Sequence, residues 1–126
     1  MLRIVADLVL GARFELPAAL FAAHPDLRRA TWRRGGLALR IGGWCLGRAT
    51  VSGITLWRTI ALAEGVALDP ELLLHELRHV DQFAADQMFP VRYLWGSLRH
   101  GYRDNPYEAD ARAYAARQVS GAPSTA

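Results

Sequence analysis

The stretch DPELLLHELRHVDQF, residues 69–83, predicts a helix that carries two histidines and a glutamate. Asp69 is a favourable N-cap residue, and Pro70 suits the first position of a helix. A proline further on, Pro90, disfavours helical backbone in the residue before it. We therefore expect a helix that runs from Pro70 to about Met88.

Two histidines and a glutamate in this stretch form the pattern HExxH. His75 and His79 project from one helix face, about 6 Å apart along the axis, and can share a tetrahedral zinc ion. Glu76 is rotated by about 100° around the helix, so it is poorly placed as a third ligand. It can instead take a proton from a water on the open side of the metal. The pattern indicates metal-assisted hydrolysis with Glu76 as the base.

A catalytic zinc site also needs a third protein ligand. The metzincin spacing would place a histidine at residue 85, which is an alanine. Asp81 points away from the histidines, and Asp86 lies about 10 Å further along the helix. The remaining candidates are His100, Asp104, Glu108 and Asp110.

Glu108 is the preferred third ligand, because it opens the last predicted helix, PYEADARAYAARQV, which runs to about Val119. A helix packed against the first one would direct this carboxylate toward the histidines. Asn105 and Glu108 also form a capping box, which needs no metal. His100 is the next candidate ligand, and its alternative is a surface histidine before a glycine turn.

The composition fits one folded domain over residues 1–126, since a hydrophobic fraction of 52% supports a core without disulfides. The single cysteine, Cys45, gives no sign of an oxidising compartment, and we expect a cytoplasmic protein. Charged residues interrupt the apolar N-terminus, so no export signal, transmembrane helix or membrane partner is expected. These interruptions are Arg3, Asp7, Arg13 and Glu15.

All fifteen basic residues are arginine, and the net charge is +3. The only cluster is RRATWRR, residues 28–34. A nucleic-acid-binding domain that uses Arg28, Arg29, Arg33 and Arg34 is the least favoured alternative. The simpler interpretation is a solvated loop.

The residues before the HExxH helix predict a small antiparallel sheet, and hence an α+β fold. PAALFAAH (17–24) indicates a short helix, whereas residues 1–10 fit either a helix or a strand. Strands are predicted in GLALRIGG (36–43), WCLGRATVSG (44–53) and ITLWRTIAL (54–62). Glycine turns between them favour a meander.

Two segments, LLLHELRHVDQF (72–83) and GYRDNPYEADARAYA (101–115), resemble zincin metallopeptidases of the gluzincin type. More narrowly, they resemble minimal gluzincin-like domains of bacteria that combine HELxHxxQ with a downstream NPxExEA helix. GITLWRTIALAEGVAL (53–68) resembles the edge strand of these domains and the turn into the active-site helix. The resemblance covers about residues 53–118.

This resemblance implies a zincin-like fold in which one zinc ion is held by His75, His79 and Glu108, with Glu76 as the base. It also implies a peptide or protein substrate that adds as a strand to the edge strand, residues 54–62. The substrate contacts expected there are Ile54, Leu56 and Arg58.

The chain departs from larger gluzincins at Arg112, where they carry an aspartate that orients a zinc-bound histidine. The nearest acid is Asp110, which is a candidate for that role. Gln82, one turn past His79, and Asn105 are further candidates for support of the site. The aromatic residues are interpreted first as core or interface side chains. The alternative is that one tyrosine stabilises the oxyanion, and the sequence does not rank the candidates. They are Tyr93, Tyr102 and Tyr107.

We also expect residues 1–126 to lack a counterpart of the large C-terminal lobe of such enzymes. The alternative function is therefore a zinc-binding module that is latent or non-catalytic and acts in a larger assembly.

Overall fold

Helix and strand signals of the sequence can be compared with a computed structural model that describes residues 2–36 and 53–121. These residues form an α+β fold with a mixed four-stranded sheet, and the chain divides into two units, residues 1–67 and 68–126. The strands predicted within 37–52, and Cys45, lie outside the described residues.

In the first unit the elements are α1 (Leu2–Leu10), β1 (Ala12–Arg13), α2 (Ala18–Ala23), a 3₁₀ helix (Pro25–Arg29), β2 (Thr31–Arg34), β3 (Gly53–Leu56) and β4 (Thr59–Leu62). In the second they are α3 (Pro70–Ala85), α4 (Phe89–His100) and α5 (Pro106–Val119).

The sheet has the strand order β1-β2-β4-β3. β1 pairs with β2, and β3 with β4, in antiparallel fashion, but β2 and β4 run parallel. The prediction of an antiparallel sheet is therefore wrong for this pair. The segment 28–34, interpreted as a solvated loop, instead contributes to the 3₁₀ helix and forms β2. Residues 35–58 separate β2 and β4, which exceeds the dozen or so residues that a parallel crossover requires. Because this pairing is non-local, turn signals do not reveal it.

The single strand predicted over residues 54–62 is in fact a hairpin. Trp57 and Arg58 form its turn, and Leu56 pairs with Thr59 across it. Trp57 has a φ of 54°, in the left-handed region that glycine or asparagine usually occupies in such loops. The β-branched and aromatic residues of 54–62 predict a strand, and no glycine or asparagine among them indicates the turn.

The first unit has buried side chains in both its 3₁₀ helix and its sheet. Leu27, Ile60 and Leu62 are fully buried, and the buried indole of Trp32 donates from Nε1 to the Leu27 carbonyl at 2.9 Å. This hydrogen bond satisfies the only polar atom of the tryptophan side chain inside the core.

The four clustered arginines all have partners in this unit. Arg33 pairs with Asp7 at 2.7 Å, and Arg29 lies 4.0 Å from Asp26. The other two guanidinium groups stack on aromatic rings: the guanidinium of Arg28 lies over Phe21, and that of Arg34 lies over Phe14. Such pairing is the expected behaviour of a structured, partly solvated surface.

In the second unit, α3 begins at Pro70 as predicted, although the Asp69 side chain makes no capping hydrogen bond. The helix ends at Ala85 instead of Met88. The Asp86 carboxylate accepts the Met88 N–H at 2.9 Å, and α4 then starts at Phe89. Pro90 thus opens α4 rather than closing α3, as proline in a first turn can do.

The last helix, α5, has the predicted end at Val119 and packs along α3. Ala111 and Ala115, one helical turn apart on α5, are fully buried, as are Leu73 and Leu77 of α3. Small alanine side chains allow the two helix axes to approach closely, which brings the N-terminal turn of α5 to the histidine face of α3. In the described part of the chain, no helix is both long enough and apolar enough to cross a bilayer.

Candidate metal centre

Two imidazoles from α3 and one carboxylate from α5 meet at a single point. Glu108 Oε2 lies 2.9 Å from His75 Nε2, and Glu108 Oε1 lies 2.9 Å from His79 Nε2. One ligand atom from each residue falls within 4.8 Å of the others. The structure therefore brings together the three residues predicted as ligands, and this group could hold a metal ion.

Asn105 explains how Glu108 comes to face the histidines. Its Oδ1 accepts the Tyr107 N–H at 2.9 Å and caps α5, which is the Asn half of the predicted capping box. Both oxygens of Glu108 are engaged by the two imidazoles instead of turning back to the helix N-terminus. Asn105 relieves the carboxylate of the capping task.

The same asparagine ties α4 to the start of α5. It is fully buried, and its Nδ2 donates to the Tyr93 carbonyl and to Ser97 Oγ, both at 2.9 Å. A Cβ at Gly96 would lie 3.3 Å from three Asn105 atoms. Only a glycine leaves comfortable room for this side chain in α4.

The proton on His79 can be located by counting donors and acceptors. Gln82 Nε2 donates to the Tyr107 carbonyl at 3.0 Å and to Asp110 Oδ2 at 2.9 Å, and both partners only accept. The Gln82 oxygen must then be the atom 2.7 Å from His79 Nδ1. Nδ1 therefore carries a hydrogen, and Nε2 is the nitrogen left for a metal.

Asp110 occupies a different position from the one predicted. Arg78 Nε donates to its carboxylate at 2.8 Å, and this bond, with that from Gln82, lowers the pKa of Asp110 despite partial burial. The role expected of Asp110, holding a ligand's ring nitrogen, belongs to Gln82, and Asp110 holds Gln82 in turn. Arg112, at the position of the larger enzymes' aspartate, is exposed and donates to the Arg103 carbonyl.

Tyr93 is the tyrosine whose hydroxyl enters the site. It donates to Glu108 Oε1 at 2.8 Å. Burial, followed by the negative charge of Glu108, raises the Tyr93 pKa well above its ordinary range, so the hydroxyl remains a neutral donor. Tyr107 instead packs its ring edge-on against Phe89, at 5.0 Å between centroids. The sequence could not rank these tyrosines, because the crossing of α4 over α5 decides which hydroxyl reaches the carboxylate.

The electrostatics of the cluster favour a proton that is shared between the His79 imidazole and the Glu108 carboxylate. Burial lowers the pKa of His79, but hydrogen bonding to Glu108 and the charge of Glu76 outweigh it and raise the value to about 9. Burial raises the pKa of Glu108, but its hydrogen bonds to His75 and His79 outweigh it and hold the value well below the ordinary range. Glu76, next to His75 on α3, is itself buried and contributes negative charge to the site.

The donor atoms fit a metal ion. A tetrahedral ion with bonds of about 2.1 Å holds its donors about 3.4 Å apart. This separation lies between the two 2.9 Å contacts and the 4.8 Å that bounds the distances within the group. Two imidazoles and one carboxylate form the donor set of one class of catalytic zinc site, and they also suit non-haem iron. Donor sets of this kind generally suit first-row transition metals better than magnesium or calcium.

Several predicted residues lie apart from this cluster. His100 and Asp104 are exposed at and after the end of α4. Ile54 and Leu56 lie on β3, the last strand of the sheet order, but Arg58 lies in the turn and donates to the Arg29 carbonyl.

Comparison of the chain with protein-family models, with curated proteins and with solved structures found no match. Function is therefore inferred from the chemistry of the site.

Proposed function

We propose that this chain is a zinc-dependent metallopeptidase with a zincin-like fold of the minimal gluzincin type. The observation that carries this proposal is the direction of the Glu108 carboxylate, which leaves the capping of its own helix to Asn105 and meets the imidazoles of His75 and His79. A carboxylate that only caps its own helix turns back toward the helix N-terminus, whereas a third metal ligand has to face the other two.

The residues around the ligands support the same assignment. Gln82 holds His79 in the tautomer that presents Nε2, and Asp110 and Arg78 hold Gln82. Outer partners of this kind orient metal ligands in many proteins. A buried histidine needs a hydrogen-bond partner in any case, but this partner engages Nδ1 and leaves Nε2 facing the Glu108 carboxylate.

Zinc, when bound, supplies Lewis acidity that makes a water acidic near neutral pH and polarises a carbonyl. Glu76 then serves as the general base: its carboxylate accepts the proton of the attacking water and returns it to the amine that leaves. Tyr93, held neutral by burial, would act as the hydroxyl donor to the developing oxyanion by turning its single hydrogen away from Glu108 Oε1, to which it donates at 2.8 Å.

The proposed substrate is an extended polypeptide that pairs its main chain with β3. Within the described residues, β3 is the last strand of the sheet order, and an outer strand can accept a further strand. Ile54 and Leu56 would provide side-chain contacts. Arg58 belongs to the adjoining turn, so its contribution would be made from the end of the strand.

Zinc content and cleavage of unstructured polypeptides test the proposal in four proteins. Wild type should bind one zinc and cleave. Glu76→Gln should keep the zinc and lose cleavage by about 100-fold or more, whereas Glu108→Ala should lose the zinc. His100→Ala, the matched control for the rival ligand, should change neither. If Glu108→Ala kept its zinc while His100→Ala lost it, the ligand set would be wrong.

The second candidate is a latent or non-catalytic zinc module. It is favoured by the burial of the site, in which Glu76, His79 and Glu108 are only 6%, 5% and 2% exposed. In the same assay, wild type and Glu76→Gln would then each bind one zinc and be equally inactive. Cleavage by wild type that Glu76→Gln abolishes would exclude this candidate.

A further inference from the structure

One side of α4 presents large apolar side chains to solvent, while its other side faces the metal centre. The five side chains are between 53% and 74% exposed, and at 100° per residue they cover an arc of about 120°. We call them the α4 surface, which consists of Met88, Val91, Leu94, Trp95 and Leu98.

Such an arc differs from the scattered apolar residues that any surface carries. Contiguous apolar patches of this kind mark places where a protein meets another apolar phase. Tyr93 and Ser97, on the opposite side of the same helix, are held by Glu108 and Asn105. These contacts fix which side of α4 turns outward.

Positive charge lines one margin of the α4 surface. The segment Phe89–His100 contains Arg92 and Arg99 but no aspartate or glutamate. Arg92 is paired with Asp86 at 2.8 Å, and Arg99 lines a cavity of about 390 Å³ beside Trp95, Pro106 and Tyr107. An occupant of the α4 surface therefore has to tolerate or prefer cationic neighbours.

A second copy of the chain fits this surface poorly. Met88, Val91, Trp95 and Leu98 are three, four and three residues apart, which is the spacing of a helix-pairing seam. In an antiparallel two-fold pair, Arg92 and Arg99 would fall at the same flanking positions on both helices and face each other. Asp86 offsets the charge of Arg92, but α4 itself contains no carboxylate to offset that of Arg99.

We propose that the α4 surface binds the surface of an anionic membrane. The helix would lie in the plane of the headgroups, with Trp95 and Leu98 in the acyl boundary and Arg99 beside lipid phosphates. Tryptophan, leucine and arginine in this arrangement are typical of interfacial helices, which do not need the length of a membrane span. This inference is independent of the zinc site.

Co-sedimentation of the full chain with vesicles tests the proposal. We expect binding to vesicles of equal parts phosphatidylcholine and phosphatidylglycerol, little binding to phosphatidylcholine alone, and weakening as salt is raised. Trp95→Ser should weaken binding by about tenfold, and Arg99→Gln should weaken it on anionic vesicles. Failure of wild type to bind anionic vesicles would overturn the proposal.

Two control variants match these changes. Trp57 is 67% exposed against 63% for Trp95, so Trp57→Ser removes an equally exposed tryptophan from the β3–β4 turn. Arg117→Gln removes an exposed charge from α5. Both should bind as wild type does, and circular dichroism should show that all four variants fold.

Two further outcomes would also refute the proposal. The helix α1 exposes Leu8 and other apolar residues, so loss of vesicle binding in Leu8→Ser, with Trp95→Ser unaffected, would assign the contact to α1. If wild type formed a dimer by analytical ultracentrifugation and Trp95→Ser were monomeric, without vesicle binding in either, the α4 surface would be a contact between copies.

Discussion

The side-chain oxygen of Gln82 lies 2.7 Å from Nδ1 of His79, one helical turn earlier on α3. An amide in this position sets the tautomer of the histidine without adding a negative charge beside the metal centre. The Gln82 amide cannot reverse its direction, because its nitrogen is committed to the Tyr107 carbonyl and to Asp110.

Replacing this amide should weaken metal binding without removing a ligand. We expect Gln82→Leu to raise the zinc Kd by about 10- to 100-fold, since Nδ1 loses its acceptor and the ring is free to rotate. Competition with a chromogenic chelator measures the change. Gln87→Leu, an exposed glutamine after the same helix, is the matched control. Equal zinc affinity in the two variants would contradict the role given to Gln82.

Zinc binding should also release protons, because a ligating imidazole has to be neutral. The pKa of His79 in the metal-free protein is raised from 6.5 to about 9, so at pH 7.5 binding must displace at least one proton. Zinc affinity should rise with pH until about 9. Calorimetry in buffers of different ionisation enthalpy counts the protons, and a heat that is independent of the buffer would contradict the prediction.

The metal-free protein should show the opposite trend in stability. A raised histidine pKa stabilises the fold fully below 6.5, and this contribution is lost as the pH rises through about 9. The lowered pKa of Glu108 stabilises the fold above its ordinary value of 4.5, and the contribution is lost as the pH falls through the lowered value. Unfolding in urea with a chelator present should therefore be hardest between about pH 4.5 and 6.5.

Local signals account for what the sequence predicted well. Pro70 and the Asn105–Pro106 pair mark helix starts by their own backbone restrictions, and the four-residue spacing of His75 and His79 fixes a shared face. Glu108 was correctly singled out as the residue to meet them, because its place in the first turn of a helix also follows from local sequence.

Features that depend on distant contacts were missed or misassigned. The parallel pairing of β2 with β4 joins strands that residues 35–58 separate. The choice of Tyr93 as donor depends on how α4 crosses α5. The exchange of roles between Asp110 and Gln82 depends on Arg78, whose guanidinium draws the Asp110 carboxylate away from the ring.

Gly96→Ala tests the close contact between α4 and Asn105. Alanine inside a helix is normally about 1 kcal/mol more favourable than glycine. Here the new Cβ would lie 3.3 Å from three atoms of a fully buried side chain, so we expect Gly96→Ala to lower the free energy of unfolding. The measurement is urea denaturation followed by circular dichroism.

A double-mutant cycle provides the control for that experiment. Asn105→Ala alone should cost about 2 to 4 kcal/mol, because α5 loses its cap and α4 loses the two hydrogen bonds that the Asn105 amide donates. In this background the crowding is gone, and Gly96→Ala should become neutral or stabilising. The same loss in both backgrounds would show that crowding by Asn105 is not its cause.

At Trp57, in contrast, we expect a substitution that raises the free energy of unfolding. The φ of 54° at Trp57 costs a bulky L-residue about 1 to 2 kcal/mol, and asparagine adopts this conformation more readily. Since the ring is 67% exposed, its removal forfeits little buried apolar area. Trp57→Asn should therefore raise the free energy of unfolding by about 1 kcal/mol. Trp57→Ala removes the same ring but keeps the backbone strain, so an equal gain in both variants would show that the exposed ring, and not the left-handed backbone, was the source of the instability.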